Sequence, residues 1–225
     1  RDDELMDDGS TMSKRVVVGK DVYFDLIVAI HMRRGEEDMS YNPAMARYVR
    51  EYKENSDLAT VTYDSDEGLY IIYTLAGQDT TRFNQFMSQG QILLNRQRYY
   101  LAEMKFDSAA MMSPYNPIAP LGSCVTMFAA GEPARAGESL KLAFMLFPAL
   151  METRLDVGRI LLVEDFDAQL AALKETLADT ESPEVSLVML AVYMSMADED
   201  VPTAKEYAKT LKRLAGADGV ASAYA

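Results

Sequence analysis

The chain carries a single histidine, His31, and a single cysteine, Cys124. A thiol beside an imidazole is a formal nucleophile–base pair, and it is the catalytic alternative for this sequence. The setting of each residue argues against it. Cys124 falls inside an apolar helical pattern, where a thiol acts as a small buried side chain and stays unreactive. His31 lies on an apolar helix, with no second histidine for a metal and no Ser-His-Asp order around it. One thiol forms neither an intramolecular disulfide nor a metal site. Asp64-Ser65-Asp66-Glu67-Gly68 has the carboxylate density of a calcium loop. Its glycine comes too early for an EF-hand, however, and the closing glutamate is absent. A solvated hairpin turn is the better account. Asp198-Glu199-Asp200 reads as an acidic helix cap. Gly68, Gly77 and Gly90 are isolated and form no phosphate-cradling loop. The expectation is a chain without catalysis, metal or cofactor.

The bulk composition narrows the partners. There are 35 acidic and 22 basic residues, for a formal net charge of -13. Such a surface repels phosphate backbones and anionic membranes, so nucleic acid is not an expected ligand. Apolar residues make up 49% and charged residues 25%, an ordinary globular balance. The longest apolar runs, such as Leu26 to Ile30, fall far short of the ~18 residues of a membrane span. Acidity, few lysines and an initial Arg1 point to an exported protein of the cell envelope or extracellular space, with the cytoplasm as the alternative. The chain has 15 methionines and 13 tyrosines. Both serve core filling and adaptable protein interfaces.

Residues 1–14 read as a flexible acidic arm, or as a segment exchanged with a neighbouring subunit. Residues 15–79 read as a small α+β segment. Val16, Val17 and Val18 form a strand-prone run. Asp21 is placed to cap a helix from Val22 to Arg34, with Phe24, Ile27, Val28, Ile30 and Met32 at helical spacing. A second helix is expected from Tyr41 to Tyr52. Ala59–Tyr63 and Leu69–Tyr73 flank the acidic turn as a β-hairpin. In the rival reading the second run opens a helix reaching Leu75. From Thr80 onward strand-type runs vanish, and residues 80–225 read as helical.

The helical part repeats itself. Setting Phe83–Asn116 over Pro117–Leu150, an offset of 34 residues, aligns Gly90 with Cys124, Ala102 with Ala136, and Ala109 with Ala143. It also aligns Leu93 with Met127, Leu94 with Phe128, Phe106 with Leu140, and Pro114 with Pro148. Two antiparallel helices approach closely where one offers a small side chain, and larger partners fill the space beside it. The turns are expected near Asn95–Arg98 and at Ala130–Pro133, where Gly131 suits a helix end and Pro133 the next start. Pro114 and Pro148 end each second helix. Beyond, Leu150–Leu162 reads as a linking helix and Phe166–Leu177 as part of an altered third unit. Ala204, Ala208 and Leu211 mark a better fourth.

With this period and these residues, the segment from about 83 to 216 resembles the tetratricopeptide repeat family. The first unit has Gly90, Tyr99, Ala102, Phe106, Ala109 and Pro114. The second has Cys124, Ala136, Leu140, Ala143 and Pro148. The resemblance implies a mainly α fold, a tetratricopeptide-like α-solenoid preceded by the α+β segment. It implies a concave face lined by the first helix of each unit, where partners bind. Here that face would hold Asn84, Met87, Gln91, Leu94 and Asn95, continued by Ile118, Leu121, Val125 and Phe128. Folding back of the C-terminal helices over it is the alternative. Met87 and Gln91 are not basic, so the grip on a peptide carboxylate seen in some members is missing. The implied function is a non-catalytic protein–protein interaction scaffold. It is expected to be a homo-oligomer or filament joined through its repeat ends and N-terminal arm. A monomeric adaptor that binds a peptide in the groove is the alternative.

Overall fold

A computed structural model describes residues 21–33 and 60–214. The expected acidic arm, the strand at Val16–Val18 and the helix at Tyr41–Tyr52 lie outside the described residues.

Helix α1 spans Val22–Arg33. Asp21 caps it, its Oδ1 accepting from the Tyr23 amide at 2.8 Å and the Phe24 amide at 3.4 Å. Asp25, buried one turn later, accepts from the Thr60 hydroxyl at 2.6 Å and stitches α1 to the sheet. Strands β1 (Val61–Asp64) and β2 (Leu69–Ile72) pair antiparallel, Val61 opposite Ile72. The acidic run between them is a turn. Asp64 accepts from the amides of Asp66 and Glu67, and Gly68 takes the positive φ of 73° that a side chain would resist.

Four helices follow: α2 (Arg82–Leu94), α3 (Tyr99–Met112), α4 (Ile118–Ala129) and α5 (Pro133–Leu146). Pro120 falls within the first turn of α4, where its missing amide donor costs no helical bond. The chain then departs from the linking helix expected over Leu150–Leu162. It forms a 3₁₀ turn (Pro148–Glu152), a strand β3 (Thr153–Leu155) and a single helical turn α6 (Val157–Ile160). β3 lies parallel to β2, Ile71 opposite Arg154, and completes a sheet of order β1-β2-β3. Helices α7 (Val163–Ala178), α8 (Val185–Ala197) and α9 (Val201–Leu214) end the described chain.

Three helical hairpins share one turn. After α2, Gln97 adopts φ 56°; after α4, Gly131 adopts φ 77°; after α8, Glu199 adopts φ 59°. Each time two crossed amide bonds of 2.9–3.1 Å close the helix end: Gln97→Leu94 with Arg98→Leu93, Gly131→Phe128 with Glu132→Met127, and Glu199→Met196 with Asp200→Ser195. This is the Schellman pattern. The first two turns lie 34 residues apart, and the third follows at twice that spacing. The segment skipped, which would form a hairpin of its own, instead supplies β3, α6 and α7. Helix α7 lies across the turn ends. Its Asp165 accepts from the Tyr99 hydroxyl at 2.7 Å and from Gln97 at 3.0 Å. Its Gln169 sits beside Gly131, and its Lys174 donates to Asp200 at 3.1 Å.

The core is continuous. Leu26, Val61 and Ile72 from the N-terminal segment join Met87, Leu121, Phe128 and Leu155 in one buried cluster. The composition shift at Thr80 therefore separates two textures of sequence that share one interior, and β3 crosses it.

Candidate functional site

Of the positions expected to pack the hairpins, most lie in the interior. Ala102, Phe106, Ala109, Cys124, Ala136, Leu140 and Ala143 are all fully buried. Phe106 is the keystone. A Cβ on Gly90 would come within 2.8 Å of its ring, and one on Gly122 within 2.6 Å. Gly122 was not singled out in the sequence. It stands two residues before Cys124, the position that the repeat register equates with Gly90. Gly137 has a comparable role, since a Cβ there would meet the Ser186 carbonyl at 2.7 Å, where the backbones of α5 and α8 approach each other. Pro114 follows the end of α3, and Pro148 opens the 3₁₀ turn after α5. The Tyr99 hydroxyl has its pKa pushed up by burial and by the Asp165 carboxylate it donates to.

The face expected to form an open groove is filled from within the chain. Met87, Leu94, Ile118, Leu121, Val125 and Phe128 are all buried, as is Asn84. Gln91 is half-buried, its carbonyl accepting from the Thr74 hydroxyl at 2.8 Å and the Leu75 amide at 2.9 Å. Val125 and Phe128 face Leu155, Ile160, Leu161 and Phe166. The Phe128 and Phe166 rings stand 5.6 Å apart. Asn95 stays exposed. The unusually apolar character of Ile118, Leu121, Val125 and Phe128 thus has a physical reason. All four lie in the shared core, and Val125 and Phe128 pack against β3, α6 and α7.

The catalytic candidates are dispersed. Cys124 sits fully buried in mid-helix, and desolvation raises its thiol pKa far above the range of a reactive thiolate. Thr153 shares a hydrogen bond of 3.1 Å with the buried Tyr193 hydroxyl, whose pKa is likewise raised by burial. His31 is half-buried on α1. Among the described residues, no group of three or more His, Cys, Asp or Glu is placed to hold a metal ion. Nor is any helix among them long and apolar enough to cross a membrane.

Two surfaces remain outside the expected groove, and the first carries Met104, Met111 and Met112, whose helical spacing reads as core filler in the sequence but which are exposed. The first is the outer face of α3, where Tyr100, Leu101, Met104, Met111 and Met112 are exposed, continued by Tyr115. Met104 keeps 63% and Met111 70% of its surface in water. Leu142 and Met145 on α5 are exposed as well. Methionine spacing on α3 was visible in the sequence, but methionine serves core and surface alike, so type alone could not place it. The second is a cavity of about 500 Å³ between the β1–β2 turn and the α8–α9 hairpin. Leu69, Val192, Met196, Val201, Ala204 and Ala208 form its floor, and Asp66, Glu67, Glu199 and Lys205 its rim. Arg154, nearly buried, braces this rim by pairing with Glu67 at 2.7 Å and Glu199 at 3.1 Å. Searches of known protein families, curated proteins and solved structures returned no match to this chain.

Proposed function

We propose that the chain is a non-catalytic protein–protein interaction scaffold built on tetratricopeptide-like helical hairpins, and that it works by self-association. The observation that carries this reading is the apolar outer face of α3. Soluble chains rarely keep a contiguous strip of this kind in water without a contact for it. The shared hairpin turn, its 34-residue spacing, and buried Ala102 and Ala136 support the repeat assignment. The contact surface differs from the expected one. The inner face is occupied by the chain's own β3, α6 and α7. The last described helix, α9, turns exposed Lys205, Glu206, Lys209, Lys212 and Arg213 outward, the texture of a polar cap rather than an adhesive repeat end. Association is therefore placed on the flank of the stack.

Light scattering of the pure protein tests this directly. The wild type is expected to associate with rising concentration. Met104→Glu with Met111→Glu is expected to yield a folded monomer, because both side chains are exposed and surface changes alter stability little. A wild type that stays monomeric at the highest attainable concentration overturns the self-association reading.

A monomeric adaptor is the second reading, and the cavity between the β1–β2 turn and α8–α9 favours it. An apolar floor with Asp66, Glu67 and Glu199 on its rim suits a short apolar segment that carries a basic residue. Binding of a labelled peptide of that composition, lost on Ala208→Trp, would support the adaptor. No binding at any concentration would remove it.

A further inference from the structure

The methionines of the described residues divide by exposure. Met87, Met127, Met189 and Met194 have all or nearly all of their surface in the core. Met104 and Met111, already noted as open to water, are joined by Met112 at 52% and Met145 at 60% exposed. These last four stand on α3 and α5, the second helices of the first two hairpins. An exposed thioether gains little from packing, yet it has a reactivity that leucine in the same place would lack. Its sulfur takes up oxygen from peroxide-type oxidants, and the sulfoxide formed is polar where the thioether was apolar. Access decides which sulfurs react.

We infer that Met104, Met111, Met112 and Met145 form an oxidation site, a set of thioethers that peroxide converts to sulfoxides while the fold is kept. In each conversion the Sδ lone pair attacks one oxygen of hydrogen peroxide. An S–O bond forms and the O–O bond breaks. The sulfur loses two electrons, the peroxide gains them, and the proton of the transferred oxygen passes to the departing one, which leaves as water. The rest of the chain makes the reaction selective. Cys124, the competing sulfur, is fully buried, and desolvation keeps it a protonated, unreactive thiol. The core methionines are reached only through opening of the fold, populated on the order of 10⁻³ or less in a stable protein. Oxidation therefore changes the polarity of the outer surface and spares the interior. On α3 it replaces three exposed apolar side chains, at Met104, Met111 and Met112, with polar ones. This site is independent of the self-association reading, since it requires only that oxidant reach the sulfurs.

Hydrogen peroxide on the full chain, followed by peptide mass mapping, reads the site. Met104, Met111, Met112 and Met145 are expected to gain one oxygen each. They should do so at least about tenfold faster than Met87, Met127, Met189 and Met194, a margin well inside the small open fraction of a stable fold. A dye that fluoresces on apolar surface is expected to bind less after oxidation, with far-ultraviolet circular dichroism unchanged. The variant carrying Met104→Leu, Met111→Leu, Met112→Leu and Met145→Leu keeps the apolar surface and removes the reactive sulfurs. Leucine matches methionine as a helix former and all four positions are exposed, so this variant should fold. Its dye binding is expected to stay constant under peroxide. Equal oxidation rates at exposed and core methionines, or an equal loss of dye binding in the leucine variant, overturns the proposal. Light scattering before peroxide is added keeps the two readings apart. A monomeric wild type that gains the oxygens overturns self-association and leaves the oxidation site standing. An oligomer in which Met104 and Met111 resist peroxide does the reverse.

Discussion

Helices α3 and α9 hold the same place in hairpins closed by the same turn, yet they meet water differently. Both bury the small residue that lets the paired helix approach, Ala102 in one and Ala204 in the other. Where α3 turns Met104, Asp107 and Met111 outward, α9 turns Glu206, Lys209 and Arg213. Helix α9 is amphipathic, while the outer face of α3 carries large apolar side chains around Asp107. Backbone and inner packing are thus set by the hairpin, and the outer face is free to vary. A stack of such hairpins needs a polar outer helix only where it ends in solvent. The exposed methionines of α3 are therefore the feature that the proposed self-association has to explain.

The inner faces differ too, by an exchange of volume. In the first hairpin Gly90 is small and Phe106 large. At the matching positions of the third, Val192 is large and Ala208 small. The cavity beside Val192, Met196 and Ala208 lies where no aromatic ring is supplied. Phe106→Ala tests this comparison with the largest expected effect. The ring is fully buried between two glycines that cannot close the gap, so the loss should be about 3–5 kcal/mol. Ala208→Gly, at the matching position, should cost only about 1 kcal/mol, the helix-propensity difference. Urea unfolding of both variants measures the contrast, and equal losses would dissolve it.

The strap α7 offers the next effect. Asp165 ties it to the first turn through Tyr99 and Gln97. Asp165→Ala should cost about 1–2 kcal/mol, at the lower end for charge-assisted bonds because the site is partly open to water. Tyr99 gives a second readout. Its folded pKa is raised, so the folded state keeps its proton while the unfolded chain ionises near the ordinary tyrosine value of about 10. The contribution is fully present below that value and is lost as pH rises above it. Burial is the larger cause of the shift, so removing Asp165 should narrow the alkaline decline without abolishing it. Thermal melts from neutral to alkaline pH, compared between wild type and variant, would show it. An unchanged alkaline decline would mean that Asp165 does not hold the Tyr99 proton.

Much of this organisation was legible in residue types. Asp21 before an apolar run marked the cap of α1, two β-prone runs around Asp64–Gly68 marked the hairpin, and Gly131-Glu132-Pro133 marked a helix turn. What escaped had tertiary causes. β3 is three residues long, too short for any periodicity, and it exists because Ile71 has an open edge for Arg154 to pair with. Helix α7 was visible as Phe166, Leu170, Leu173 and Leu177. Its direction across the turns was not, since Asp165, Gln169 and Lys174 become a set only once three turns are stacked. The inner face stayed open between two readings for a related reason. Ile118 to Phe128 is apolar whether it lines an open groove or a core, and only the segment that fills it decides between the two.

The three turns provide the finest test. All place their central residue in the left-handed region, but only the second uses glycine there. A side chain in that conformation costs about 1 kcal/mol, which the first and third turns offset differently. Gln97 donates to Asp165 at 3.0 Å, and Glu199 pairs with Arg154 at 3.1 Å. Gly131→Ala introduces the strain with no such bond, and its Cβ would come within 3.3 Å of the Gln169 side chain. It should destabilise by about 1 kcal/mol. Gln97→Gly relieves the strain but deletes the bond to α7, so its net effect should be close to zero. Should Gln97→Gly stabilise by the full amount in denaturant titrations, the bond to Asp165 contributes nothing, and α7 is held by Tyr99 and its apolar face alone.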